Sequence, residues 1–204
     1  QAILLVYIWH MPRQAREVEA GFPMHVTQRG NYRQNIFHDD DDKAFYIKNF
    51  LFYRRKYKLK LYAWALMDNH IHVVIEPSSR TGLSKLFQAL NTKYVFYFNK
   101  KYEISGRLFE SRFFSCILNE EHFFEAIRYV ELNPTRAGME AVPGNYEWTS
   151  AKERLKLRSK YYLHKLPYFM VIDDWMTFLM EYEVDSEIWN LIREKTISTK
   201  VVGF

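Results

Sequence analysis

The chain has 204 residues, of which 48% are hydrophobic and 18% aromatic, so it is long enough for one domain with a substantial core. Its single cysteine, Cys116, excludes an intrachain disulfide and fits a reducing compartment. A formal net charge of +5 is compatible with a nucleic-acid partner, although a basic excess of this size is weak evidence by itself.

The apolar run at residues 1–10 has neither the basic start nor the cleavage site of a signal peptide, and it is too short to span a bilayer. We therefore treat residues 1–11 as an N-terminal extension outside the fold. No other segment has the pattern of a transmembrane helix, so we expect a cytoplasmic protein with no membrane partner.

Residue patterning predicts elements in the order β-α-β-β-α-β-α up to residue 157. Alternating and β-branched residues predict strands, and apolar residues at helical spacing predict helices. The predicted strands are 22–30, Leu59–Met67, His70–Pro77 and part of 106–118, and the predicted helices begin at residues 39–42, 80 and 119. This order is that of an α+β domain with a ferredoxin-like split βαβ antiparallel sheet and helices on one face.

Two helix starts carry local signals. The aspartates at 39–42 open the first helix, where capping is the simpler interpretation and metal binding the alternative. Asn119 is the expected N-cap of the third helix, and Pro134 is expected to end it. Beyond residue 157 the pattern changes to a linker and two short amphipathic helices, within 173–182 and 186–196. We assign residues 158–204 to a C-terminal helical extension.

The third predicted strand carries two histidines on one face. Strand side chains alternate, so Ile71, Val73 and Ile75 form the core face, and His70 and His72 lie opposite. Two imidazoles at this spacing can chelate one divalent ion, and a site with open positions suits a catalytic ion rather than structural zinc. Surface or hydrogen-bonded histidines are the alternative, because the H-x-H pattern is common by chance.

Tyr129 is the second candidate for chemistry. The apolar residues of the third helix cluster on one stripe, and Tyr129 is expected on the far side of it, beside Asn133 one turn on. An amphipathic tyrosine with a solvated hydroxyl is the alternative. A tyrosine hydroxyl, with a free pKa of about 10, can attack a DNA phosphodiester when a metal ion polarises the phosphate.

Five segments carry a family resemblance: HVTQRGNYRQNIF, LYAWALMDNHIHVVIEP, LNTKYVFYFNKKY, GRLFESRFFSCIL and RYVELNPTRAGM, in this order. The ordered set resembles the single-tyrosine HUH transposases of the IS200/IS605 type, and more closely the REP-associated tyrosine transposases of bacteria. The resemblance covers residues 12–156. It implies a HUH (Y1) transposase domain at 12–157 that cleaves and rejoins single-stranded DNA at hairpin sites through a 5′-phosphotyrosine intermediate.

The resemblance also implies roles for residues. Tyr129 is the implied nucleophile, His70 and His72 are the implied metal ligands, and Asn133 occupies the position that supplies a third side-chain oxygen. The implied cofactor is Mg²⁺ or Mn²⁺. The implied partner is single-stranded or hairpin DNA with a guide tetranucleotide, in the bacterial cytoplasm at the nucleoid. Members of these families act as homodimers or as monomers, and the sequence does not decide between the two.

The loop QRGNYRQN can offer basic and amide groups to phosphates and base edges, and the resemblance places it near the guide. Lysines on the second helix and arginines before the fourth strand are further candidates. The DNA-binding set is Gln28, Arg29, Asn31, Arg33, Gln34, Lys93, Arg107 and Arg112. Ordinary polar surface and ion pairs are the alternative for these residues.

Two other functions compete with transposition. One is a catalytically silent regulator that binds hairpin DNA, although the intact His70, His72 and Tyr129 argue against lost catalysis. The other is a metal-dependent single-strand nuclease that uses water and leaves no covalent adduct. A binding domain with incidental histidines would not explain why all the motifs occur in order.

Overall fold

The computed structural model describes residues 18–157, 162–167, 174–181 and 189–190. The N-terminal extension lies outside these residues, and so do most of the second predicted C-terminal helix and part of the linker. The elements are β1 (Met24–Arg29), α1 (Asp40–Lys56), β2 (Leu59–Met67), β3 (His70–Pro77), α2 (Gly82–Tyr102), β4 (Phe114–Ile117), α3 (Glu120–Arg136), α4 (Ala151–Arg154) and α5 (Trp175–Met180).

The strands form one four-stranded sheet in the order β2-β3-β1-β4, and every neighbouring pair is antiparallel. β3 is inserted between β1 and β2, so the unit β1-α1-β2 is split as the ferredoxin-like fold requires. The predicted fold is therefore confirmed. Because β3 lies in the middle of the sheet, its histidines are flanked by β1 on one side and β2 on the other.

Capping explains where two of the helices begin. The Asp39 side chain accepts a hydrogen bond from the backbone N–H of Asp42 at 3.0 Å, and both carboxylates accept from the Lys101 ammonium at 2.7 Å. The acidic run therefore serves as a cap and an ion pair, as its simpler interpretation held. Asn119 likewise accepts from the N–H of His122 at 2.8 Å, which confirms it as the N-cap of α3.

The prediction that Pro134 ends α3 is wrong, because the helix continues to Arg136. A proline removes one N–H from the helix ladder, and this loss is small when it falls in the last turn. The end is closed one residue later, where the N–H of Ala137 donates to the Asn133 carbonyl at 3.0 Å. Gly138 follows with a φ of 71°, a left-handed conformation that favours glycine after a helix.

The two faces of the sheet are covered by different helices. α1 and α2 pack together on the face formed by Ile71, Val73 and Ile75, so the prediction of helices on one face holds for these two helices but not for α3. α3 packs on the opposite face, against Val74 of β3 and Ala65 of β2, and α5 contacts its outer side. α3 therefore covers the face of β3 that carries the histidines. Within the described residues, no helix is long and apolar enough to cross a bilayer.

Candidate active site

His70 and His72 project from β3 toward α3, as strand alternation predicts. Their ring centroids are 4.8 Å apart. His72 pairs with Thr27 of β1 and with Ala65 of β2, and His70 pairs with Arg29 at the end of β1. The two imidazoles are thus adjacent on one face of the sheet, one of them deep and the other near the strand end.

The protonation of the His70 ring follows from its neighbour. Asn69 uses its Nδ2 to donate to the Arg33 carbonyl at 3.2 Å, so its Oδ1 faces Nδ1 of His70 at 2.5 Å. Because an amide oxygen can only accept, Nδ1 of His70 carries the proton. The other ring nitrogen, Nε2, then has its lone pair available for a metal ion.

The Nδ1 edge of the His72 ring is also occupied. Nε2 of His25 lies 2.9 Å from it, and the Thr27 hydroxyl oxygen lies 3.1 Å from it. His25 and His72 stack with their centroids 5.1 Å apart and their planes 21° apart. Nε2 is therefore the ring nitrogen of His72 that can reach a metal ion, as it is for His70.

Burial keeps the three imidazoles neutral. Burial lowers the pKa of His25 to about 3 and, reinforced by the nearby Arg29 guanidinium, lowers the pKa of His70 to about 4. The pKa of His72 lies well below its ordinary value, again because the ring is buried. Neutral imidazole is the form that binds metal, so these rings need lose no proton to bind a cation near neutral pH.

Tyr129 comes to this site from α3. Its ring centroid lies 5.5 Å from that of His72 and 6.0 Å from that of His25, nearly perpendicular to both. The side chain is only 6% exposed, so the expectation that Tyr129 lies away from the core is wrong. The physical reason is that α3 is enclosed on both sides, because the Trp189 ring and the Arg136 guanidinium cover the tyrosine at 5.5 Å and 5.7 Å.

Asn133 lies one turn after Tyr129 on α3 and is half-buried. No group of three or more His, Cys, Asp or Glu side chains suited to a metal ion occurs among the described residues. A cation at this site would therefore be held by two imidazoles together with oxygen donors. Such a mixed nitrogen and oxygen set, with positions left open, fits Mn²⁺ or Mg²⁺ better than a closed structural zinc site.

A hydrogen-bonded loop at the end of β1 borders the histidines. Gly30 donates its N–H to the Asn69 carbonyl at 2.9 Å, and Asn31 donates to the Leu108 carbonyl at 2.8 Å. A Cβ on Gly30 would lie 2.1 Å from the Gln34 carbonyl oxygen, so only glycine fits there. The loop is thus attached both to the histidine strand and to the segment before β4.

The structure brings most of the predicted DNA-binding residues together. Residues 29–34 and 107–112 form one surface beside His70, which we call the loop surface. Arg33, Arg107 and Arg112 are exposed there, Arg29 and Asn31 are half-buried, and Gln34 donates to the carbonyls of Arg107 and Leu108.

Two predicted DNA contacts lie elsewhere. Gln28 is 2% exposed and is bonded within the protein, donating to the Ser111 carbonyl at 2.9 Å and accepting from Asn91 at 3.2 Å. Its side chain points to the α1–α2 side of the sheet because β1 alternates, so it has a structural role here. Lys93 is exposed on α2, on the face of the sheet away from the histidines.

Sequence reasoning missed four residues at this site. His25 and Thr27 share a face with Arg29 by alternation along β1, but only the pairing with β3 shows that they contact His72. Arg136 follows Tyr129 by seven residues, two helical turns, and that spacing was an available signal. Tyr32 is 94% exposed at the tip of the loop surface, with a φ of 50° that is unusual for a residue other than glycine.

The fold and site define a ferredoxin-like domain whose central strand presents two histidines to a tyrosine on a helix. The model of the family described as "Transposase IS200 like" matches residues 20–133, more than half of the chain. The chain belongs to this IS200-like transposase family, so the resemblance seen in the sequence motifs is confirmed at that level.

One solved structure supports this fold, and a second shows a weaker similarity. A REP-associated tyrosine transposase bound to a REP hairpin has 14% sequence identity and a TM-score of 0.60, over 80% of this chain and 96% of that chain. A candidate transposase from Deinococcus radiodurans also has 14% identity, with a TM-score of 0.41, over 58% of this chain and 95% of that one. No curated protein matches the sequence.

Proposed function

We propose that this transposase cleaves and rejoins single-stranded DNA through a covalent phosphotyrosine at Tyr129. One observation carries the proposal: the Tyr129 ring lies against an imidazole pair whose Nδ1 atoms are both occupied and whose Nε2 atoms both remain for a cation. Burying three histidines and a tyrosine together lowers the stability of the fold, because their polar atoms lose water. A purely structural core would favour apolar side chains.

In the proposed reaction the Tyr129 oxygen attacks the phosphorus of the scissile phosphodiester. The bond from phosphorus to the 3′ oxygen breaks, and the tyrosine proton is lost to water while the leaving oxygen gains one as a 3′-hydroxyl. The DNA 5′ end stays attached to the protein as a phosphotyrosine. Attack by a 3′-hydroxyl on this ester reverses the steps, so rejoining needs no other energy source.

His70, His72 and Asn133 are the residues that would hold a divalent ion, Mg²⁺ or Mn²⁺. When bound, such an ion supplies Lewis-acid polarisation of the scissile phosphate. The two imidazoles contribute fixed, neutral donors, and burial excludes water from the Nδ1 edge of His72. An ion held by so few protein groups retains positions for phosphate oxygens.

The proposed substrate is single-stranded or hairpin DNA, and the loop surface would hold it beside the histidines. Its exposed arginines suit phosphate contacts, and the REP hairpin bound by the structural relative is a ligand of the same kind. The same proposal holds that the loop surface reads the bases of a guide tetranucleotide. Both Tyr129 and the histidine pair come from one chain, which supports a site that a monomer can complete.

The test is incubation with single-stranded hairpin DNA and Mn²⁺, followed by a denaturing gel that detects protein–DNA adducts. Wild type is expected to form an adduct that both Tyr129→Phe and the double variant His70→Ala/His72→Ala lose. Tyr53→Phe, on α1 across the sheet, is the matched tyrosine control and should retain the adduct.

Other outcomes identify the competing functions. Cleavage that leaves no adduct and persists in Tyr129→Phe would show a nuclease that uses water. Binding without cleavage over a panel of hairpins and flanking sequences would show a hairpin-binding regulator. Either result would refute the tyrosine mechanism.

A further inference from the structure

We propose that His25 is a positioning residue for His72. Nε2 of His25 accepts a hydrogen bond from Nδ1–H of His72, and this orients the His72 ring so that its own Nε2 can bind a metal ion. The inference rests on the proposed metal site. It assigns a role to a third histidine, beside the two proposed metal ligands, and it starts from the contact of 2.9 Å between Nε2 of His25 and Nδ1 of His72.

The contact arises from strand pairing. His25 lies on β1 opposite Val74, and Thr27 lies opposite His72, so both side chains share the face of the sheet that carries the histidine pair. His25 is completely buried and Thr27 is 3% exposed. The Nδ1 edge of His72 therefore meets protein groups and no solvent.

The proton positions of the two rings are coupled by this geometry. If Nε2 of His72 binds a cation, its Nδ1 must carry the proton and donate it. Two N–H groups cannot face each other at hydrogen-bond distance, so Nε2 of His25 must then be the unprotonated nitrogen. A metal ion on His72 consequently requires the His25 proton to lie on Nδ1, and no proton is gained or lost by the pair.

The environment of His25 agrees with this role. Its ring is completely buried, which favours the neutral imidazole that can accept a hydrogen bond. Its own Nδ1 is buried, and the described residues offer that atom no hydrogen-bond partner. An unpaired buried polar atom destabilises a fold, so His25 is better explained by what it does to His72 than by packing. The Thr27 hydroxyl, at 3.1 Å from Nδ1 of His72, is a second acceptor for that ring.

The first measurement uses metal-free wild type and long-range ¹H–¹⁵N correlation spectra of the imidazoles. The expected result is that His72 carries its proton on Nδ1 and is unprotonated at Nε2. A wild-type His72 protonated on Nε2 would overturn the proposal without any variant or metal. In His25→Leu, the preference for the Nδ1–H form should be lost.

The second measurement is Mn²⁺ affinity by calorimetry without DNA. His25→Leu should weaken binding by about 10–100-fold, the usual effect of removing a group that orients a metal ligand. His25→Gln, which keeps an acceptor oxygen, should restore most of the affinity, and it serves as the testable variant if His25→Leu does not fold. His38→Leu is the control, because His38 packs against Phe98 and Tyr102 on the other face of the sheet.

These outcomes separate the two proposals. A folded His25→Leu protein with wild-type Mn²⁺ affinity and an unchanged His72 tautomer would refute the role of His25 and leave the metal site intact. A wild type that binds no Mn²⁺ would refute the metal site, and the tautomer of His72 in the metal-free spectra would still decide whether His25 orients that ring.

Discussion

The ring of Tyr129 stands nearly perpendicular to the ring of His72, at 87°, with 5.5 Å between their centroids. Both residues belong to the same chain, although 57 positions separate them in sequence, by their numbers. A helix that follows the sheet thus returns its tyrosine to the sheet's own histidines. One chain can therefore supply both the tyrosine and the histidines of one active site.

We expect the site to work within a single chain. Tyr129→Phe protein mixed with His70→Ala/His72→Ala protein should form no DNA adduct, because neither chain holds both groups. The measurement is the adduct gel at several protein concentrations, with wild type diluted into Tyr129→Phe as the control. Adduct recovered from the mixture would show that α3 of one chain serves the histidines of another.

Tyr32 should stack on an unpaired base. Its side chain is 94% exposed on the loop surface, and base–aromatic stacking contributes roughly 1–3 kcal/mol per base. Tyr32→Ala should therefore weaken single-stranded DNA binding by about tenfold or more, and Tyr32→Phe should not. Fluorescence anisotropy at fixed salt measures this. Phe96→Ala, an aromatic that is 74% exposed on α2, is the control expected to bind like wild type. Equal affinities for Tyr32→Ala and wild type would exclude stacking.

Acid should destabilise the metal-free protein well above the pH at which its carboxylates protonate. The pKa values of His70 and His25 are lowered to about 4 and about 3, so between pH ~6.5 and 4 the unfolded chain binds protons that the folded chain excludes. Stability is fully present above this range and is lost as pH falls, by up to about 1.4 kcal/mol per pH unit for each such histidine.

Urea unfolding from pH 7 to pH 4.5 measures this slope. His25→Gln should reduce the slope of unfolding free energy against pH by the contribution of one buried histidine. His38→Gln, which removes an exposed histidine, is the control. A slope that is the same in His25→Gln and wild type would contradict the buried, neutral state of His25.

Glu131 should anchor the tyrosine helix. Its buried carboxylate accepts from Ser150 at 2.6 Å and from the Trp175 indole at 2.7 Å, and it faces Arg154 at 3.4 Å. Ser150 also accepts from the backbone N–H of Trp64 on β2, so the network links α3 to the sheet.

Glu131→Ala should destabilise the fold by about 3–5 kcal/mol, because it leaves Arg154 buried without its carboxylate. Glu131→Gln, which keeps the shape and one of the two acceptor oxygens, should cost less. Chemical denaturation of the two variants measures the difference, and similar losses would show that the charge contributes little.

Much of this protein was predictable from local sequence. The order of elements, the caps at Asp39 and Asn119, and the placement of His70 and His72 on one strand face follow from short-range periodicity and hydrogen bonding, which depend on neighbours within a few residues. The motif order was enough to indicate the transposase family.

Other features depended on how distant segments pack. Helical periodicity placed Tyr129 on the far side of an apolar stripe, but α3 is enclosed on both sides, so a second face of the helix is also buried. Gln28 looked like a DNA contact from its loop sequence, yet it lies within strand β1 and its side chain is buried.

His25 contacts His72 because β1 pairs with β3 across 47 positions, a register that composition and periodicity do not specify. Sequence by itself determined which side chains share a face of each strand or helix, because that follows from backbone geometry. Only the tertiary structure decided which faces meet, because burial and long-range pairing are set by the whole core.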